Sequence, residues 1–127
     1  MQDLKTRTFT YAVLNGKLVK DIPYDAVNRE YISQLVRCTA SVGANYRAAK
    51  RGKSDADFLN KLKIVEEECD ESIYFLELLK EFNPTFESQI NDLIKEGFEL
   101  LKIFVASIIT TRERINNTRQ NKTGNNL

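Results

Sequence analysis

Apolar and polar positions follow a helical period along this chain, most clearly in its middle. Phe58, Leu62, Val65, Cys69, Ser72, Leu76 and Leu79 are apolar or small and recur at alternating spacings of four and three, which is a heptad seam. Ser54 ahead of them is a capping residue, and Asp55 and Asp57 suit the positive end of a helix macrodipole. Phe75, Leu78 and Phe82 add a second stripe, and Asn83-Pro84 ends the segment because the residue before proline avoids the helical region. The spacing predicts a helix over 55–82.

Past Pro84, two neighbouring stripes run together. Phe86, Ile90, Leu93, Gly97, Leu100 and Phe104 form one; Ile94, Phe98, Leu101, Val105 and Ile108 form the other. A helix over 85–115 with so wide an apolar face is either central to its domain or covered by another subunit. From 116 to 127 the chain holds five Asn and no apolar residue before Leu127, and is expected to be a disordered polar tail. Upstream, Val27, Tyr31, Leu35, Cys38, Val42, Tyr46 and Ala49 predict a helix over 25–51. Its middle is unusually small (Thr39, Ala40, Ser41, Gly43, Ala44), and Gly43 inside a helix implies the close approach of a neighbour.

The first segment reads two ways. Residues 6–20 are β-friendly and carry Asn15-Gly16, a strong hairpin signal. As a helix, Leu4, Tyr11, Leu14, Leu18 and Ile22 share a face that ends at Pro23. A lone hairpin has no sheet to join here, and three long helices need a fourth to close a core. A helix over 3–21 is therefore chosen. The expectation is an all-α antiparallel up-down four-helix bundle, one domain spanning residues 1–115.

Composition agrees with helices. There are five Gly and two Pro in 127 residues, few for a protein of short strands and turns. The polar start, without an apolar run behind it, is no secretory signal, and no stretch is apolar enough to span a bilayer. The protein is expected in the cytoplasm, with Cys38 and Cys69 reduced and part of the core.

Charge is segregated behind a net +1. Residues 1–53 carry ten Lys/Arg against four Asp/Glu, residues 54–100 four against thirteen, and residues 101–127 five against one. An acidic helix packed beside basic ones explains this, and so does a basic face that meets nucleic acid or an acidic partner.

Three stretches also carry a family resemblance. They are Gln34-Leu35-Val36-Arg37 running into Ser41 to Ala49 (SVGANYRAA), Asp57 to Leu62, and Glu66 to Leu79 with its YFLELL box. Together they closely resemble the bacterial four-helix-bundle family of proteins encoded within intervening sequences of 23S ribosomal RNA genes, over roughly residues 11–112. Tyr11-Ala12-Val13 and Lys17-Leu18-Val19 look like that family's first helix, although apolar residues are usual where Asn15 and Gly16 stand. The resemblance implies a homo-oligomer, because relatives form five-fold rings, and hence a pentamer. It also implies partners: accessory proteins of diversity-generating retroelements are similar and bind a reverse transcriptase and nucleic acid, RNA or DNA.

Candidate sites follow. Arg47, Lys50, Arg51 and Lys53 close the second helix; they offset the negative end of its dipole, or they contact phosphates. Phe75, Leu78, Phe82 and Phe98 are the candidate oligomer interface. Arg37 or Asn45, polar near the small-residue patch, is expected to hydrogen-bond Glu71 or Glu67 within a polar core that fixes helix register. The acidic run at 66–71 lacks the Glu-x-x-His pairs of di-metal bundles, since the chain has no His. No metal or cofactor is expected. Without His, a phosphate-binding glycine loop or a nucleophile elbow, an enzyme is not expected either. The leading functional expectation is a nucleic-acid-associated adaptor or accessory protein. The alternative is a protein–protein scaffold with no nucleic-acid role.

Overall fold

The computed structural model describes residues 3–125, with side chains through 122. Four helices follow one another: α1 (Leu4–Asp21), α2 (Ala26–Lys50), α3 (Asp55–Phe82) and, after a 3-10 turn at Pro84–Phe86, α4 (Glu87–Asn125). No strand occurs among the described residues. Each of the first three helices starts on a side-chain cap: Asp3 accepts from Thr6 N at 2.7 Å, Asp25 from Asn28 N at 2.8 Å, and Ser54 from Asp57 N at 3.1 Å. Just past the end of α2, position 52 favours glycine for a steric reason: a Cβ there would lie 3.0 Å from Ala49 O and 3.3 Å from Phe58 N, in the first turn of α3.

The first segment is helix through Asn15-Gly16, and its buried face explains why it reads ambiguously. Thr8, Tyr11, Asn15, Leu18 and Ile22 point inward, while Leu14, assigned to the inner face from its apolarity, is 44% exposed. The heptad seam is intact, but two of its positions are polar. Thr8 returns its hydroxyl to Lys5 O, and Asn15 Nδ2 donates to Tyr11 O at 2.8 Å, so both satisfy donors within the helix. Burial against the other helices overrides the local β preference.

α4 corrects the expected tail. It stays helical through Asn125, although the side chains from Asn116 to Lys122 are all exposed. Loss of the apolar stripe ends burial, not helicity. No Pro or Gly interrupts the chain from Phe98 until Gly124, and Thr118 Oγ1 bonds Arg114 O. Asn126 and Leu127, the end of that expected tail, lie outside the described residues.

α2 packs on α3, α3 on α4, and α1 on both α2 and α4. The core has two apolar clusters. One gathers Tyr11, Val42, Tyr46, Leu62, Val65, Leu100 and Phe104; the other gathers Leu18, Leu35, Leu76, Leu79, Ile90 and Leu93. Asn15, Ser72 and Gly97 stand at the level between them along their helices, making a polar waist. Tyr11 Oη and Ser72 Oγ share a hydrogen bond at 2.8 Å, Ser72 Oγ donates to Cys69 O at 2.6 Å, and Cys69 Sγ to Gly97 O at 3.4 Å. Asn15 Oδ1 is buried with no partner among the described residues, which costs about 1–3 kcal/mol.

Both cysteines are buried free thiols. Burial pushes each up to about 12, from an ordinary value of 9.0. Neither should react with a disulfide reagent until the protein is unfolded. Above the unfolded thiol's pKa the denatured chain sheds protons that the native chain keeps, so stability should fall as pH rises through the window from 9 to about 12. Urea melts at about pH 8 and about pH 11 would read this; Cys38→Ser together with Cys69→Ala should reduce the difference, leaving the part due to Tyr11, whose phenol burial also holds protonated.

Candidate nucleic-acid interface

Three arginines pair with carboxylates on another helix. Arg7, on α1, donates from Nη2 to Glu96 at 2.7 Å and to Glu99 at 2.8 Å, both on α4. Arg37, on α2, reaches Glu68 and Glu71 on α3 at 3.1 and 2.8 Å. Arg114, on α4, pairs with Asp55 on α3 at 2.9 Å. These arginines clamp one helix to the next.

Arg47, Lys50, Arg51 and Lys53 are different. α2 ends at Lys50, Arg51 is its C-cap, and all four side chains are exposed. None forms an ion pair among the described residues. They sit at the negative end of the α2 dipole, which they partly offset. One aromatic side chain accompanies them: Arg47 Cζ lies 5.8 Å from the ring centroid of Phe9, on α1. No spacing along α2 could reveal this neighbour. It arises because α1 runs close to α2, where Thr8 approaches Gly43.

The four interface candidates separate onto two sides of α3. Phe75 and Phe82 lie toward α2, with ring centroids 6.3 and 5.8 Å from Tyr31, and Phe75 packs on the core. Leu78 borders the groove between α3 and α4 beside Tyr74 and Ile94, and Phe98 lines the same groove further along, with Tyr74 and Glu77. The second stripe of α4 is partly exposed, and its end lies at Ile109 rather than Ile108. Phe98, Val105 and Ile109 recur along one side of α4 and are 45%, 36% and 52% exposed. The stripe assigned there ended on Ile108, which is buried.

The expected polar core is corrected too. Arg37 does bond Glu71, yet its side chain is 48% exposed, so the pair is a surface clamp contributing at most about 1 kcal/mol. Glu67 faces solvent, and Glu68 takes the second contact. Asn45 donates to Ser41 O and Ser41 Oγ on its own helix. The side-chain amides buried between elements are instead Asn28 and Asn83, which exchange hydrogen bonds of 2.9 and 2.8 Å. A lone Asn in each of two capping regions gave no sign of this pairing.

Cys38 Sγ and oxygens of Glu68 and Glu71 lie within 4.8 Å of one another, a spacing that could hold a cation. The Arg37 guanidinium already takes that place: it donates to both carboxylates and to Cys38 Sγ at 3.3 Å. Burial also keeps the thiol protonated and so a poor ligand.

The family model described as 23S rRNA-intervening sequence protein matches residues 4–106. Among solved structures, the chain is similar to a protein with unknown function from the S23 ribosomal protein family of Bacteroides thetaiotaomicron VPI-5482. The two are 29% identical with a TM-score of 0.74, over 84% of this chain and 98% of that one. No curated protein matches the chain.

Proposed function

This chain belongs to the family of 23S rRNA-intervening sequence proteins, and on that premise we propose that it is a non-catalytic oligomeric adaptor that holds nucleic acid at the basic end of α2. The observation that carries the reading is the clustering of four exposed cations, Arg47, Lys50, Arg51 and Lys53, at the end of one helix, none of them paired with a carboxylate among the described residues. Unpaired cations displace condensed counterions from phosphates at little desolvation cost.

The reading takes the helices as an antiparallel up-down bundle. Its support is the order of the contacts: Asn28 at the start of α2 meets Asn83 after α3, and Asp55 at the start of α3 meets Arg114 late in α4. It further takes the protein as a ring-like homo-oligomer, a pentamer by resemblance, joined through the apolar line of Phe98, Val105 and Ile109. Repetition of four cations around a ring would raise avidity well above that of one protomer. No helix among the described residues is long and apolar enough to cross a membrane, and the proposed setting is the cytoplasm.

The test joins native mass spectrometry to anisotropy with generic RNA across a salt series. An oligomer is expected, with affinity falling steeply with salt, at a log–log slope of about −3 if all four cations of one protomer engage. Lys50→Glu with Arg51→Glu should abolish binding without changing the oligomer. A monomer that ignores nucleic acid at low salt would refute the reading. The same apolar line favours a second reading, a protein–protein scaffold; a partner captured from lysate that survives nuclease treatment would support it.

A further inference from the structure

We propose that Phe9 and Arg47 form a stacking platform for an unpaired base, so that the ligand of the basic helix end is single-stranded nucleic acid rather than duplex. The inference rests on the nucleic-acid reading above and deepens it. Phe9 belongs to neither core cluster and leaves 57% of its surface in solvent. Burying such a side chain would be favourable, and α1 has polar residues on its buried face while this ring stays outside. Among the described residues its aromatic or cationic neighbour is Arg47, at 5.8 Å from the ring centroid, in the last turn of α2. Lys50, Arg51 and Lys53 follow within that turn and the connection to α3.

An exposed aromatic face, a guanidinium able to stack or to meet phosphate, and a short row of unpaired cations are what binding to single strands requires. Every base offers a π-face to an aromatic ring, and the backbone follows the positive charge. A duplex hides its base faces and would use the cations alone. RNA and DNA share the chemistry in question; a 2′-hydroxyl contact would distinguish them.

The chain contains no Trp, so Phe9→Trp installs a single fluorescent reporter at the platform itself. Labelled RNA and DNA strands of about twelve nucleotides, and a duplex of the same length, serve as probes in anisotropy. Phe9→Leu should weaken single-strand binding by about 5- to 100-fold and change duplex binding by less than about 2-fold. Phe9→Trp should keep single-strand affinity, with its fluorescence quenched by a base-bearing strand and not by an abasic one. Quenching by both RNA and DNA supports the platform, and stronger binding of RNA adds a 2′-hydroxyl contact to it. If Phe9→Leu leaves single-strand affinity intact while Lys50→Glu with Arg51→Glu lowers it, the platform is refuted and the electrostatic reading stands. If Phe9→Leu alters the oligomer mass without altering strand preference, the ring is a self-contact and the inference is overturned. If the wild-type chain binds no probe at low salt, the nucleic-acid reading fails and takes this inference with it.

Discussion

Replacing Gly97 with valine should destabilise the protein by about 3 kcal/mol or more, the largest single effect expected of any glycine here. A Cβ at Gly97 would sit 2.7 Å from Tyr11 Oη and 2.8 Å from Ile73 Cγ1. Neither neighbour can yield. Tyr11 is 1% exposed with its hydroxyl on Ser72, and Ile73, β-branched and 3% exposed, meets the clash at the root of its side chain. Alanine already overpacks the waist, at a cost of about 1–3 kcal/mol, and threatens the Tyr11–Ser72 bond, while recovering about 1 kcal/mol of helix propensity. The net for Gly97→Ala is a loss of up to about 2 kcal/mol, and valine adds two methyl groups to the same space. At this chain length each kcal/mol lowers Tm by about 3–5 °C. The control lies in the other helical glycines. A Cβ at Gly43 meets Thr8 at an ordinary 3.6 Å, and one at Gly16 meets nothing within 4 Å. Gly43→Ala and Gly16→Ala should each gain about 0.5–1 kcal/mol. Thermal melts by circular dichroism would decide, and a Gly97→Ala protein that melts no lower than wild type would show the waist to be looser than these distances require.

That contrast marks where sequence reading stops. The heptad of α3 is legible because Leu62, Val65, Cys69, Leu76 and Leu79 are apolar or small at every seam position, and all of them are buried. The α1 seam is not, because Thr8 and Asn15 occupy two of its positions and satisfy donors inside their own helix. Gly43 and Gly97 look alike as helical glycines, yet one faces a small side chain and the other a tyrosine hydroxyl, a difference that only packing reveals. The same holds for charge. Arg37 and Arg47 stand ten residues apart on one helix, and nothing in their sequence neighbourhood says that two carboxylates of α3 consume the first while the second rests over Phe9. Polar composition from Asn116 to Lys122 correctly implies exposure but carries no information on helicity, since Asn, Thr and Arg without Gly or Pro can continue a helix already nucleated.

The second large effect is expected at the Asn28–Asn83 pair, where Asn→Ala at either position should cost about 2–4 kcal/mol. The two amides are 2% and 7% exposed and exchange hydrogen bonds of 2.9 and 2.8 Å. Each also holds a backbone carbonyl: Asn28 Nδ2 donates to Pro23 O at 2.9 Å, and Asn83 Nδ2 to Leu79 O at 2.8 Å. The pair thus joins the α1–α2 connection to the end of α3, with every amide hydrogen engaged. Truncating one partner leaves the other amide buried and half satisfied, which is worse than removing both. The double variant should therefore cost less than the sum of the singles, with a coupling energy of about 1–3 kcal/mol. Because the pair is neutral, its contribution should be the same at low and high salt, whereas the exposed Arg37 and Arg114 clamps should weaken as salt rises. Urea melts of the four proteins at two ionic strengths separate these cases. Additive single losses, or a coupling that fades with salt, would refute the amide pair as the lock between α2 and α3.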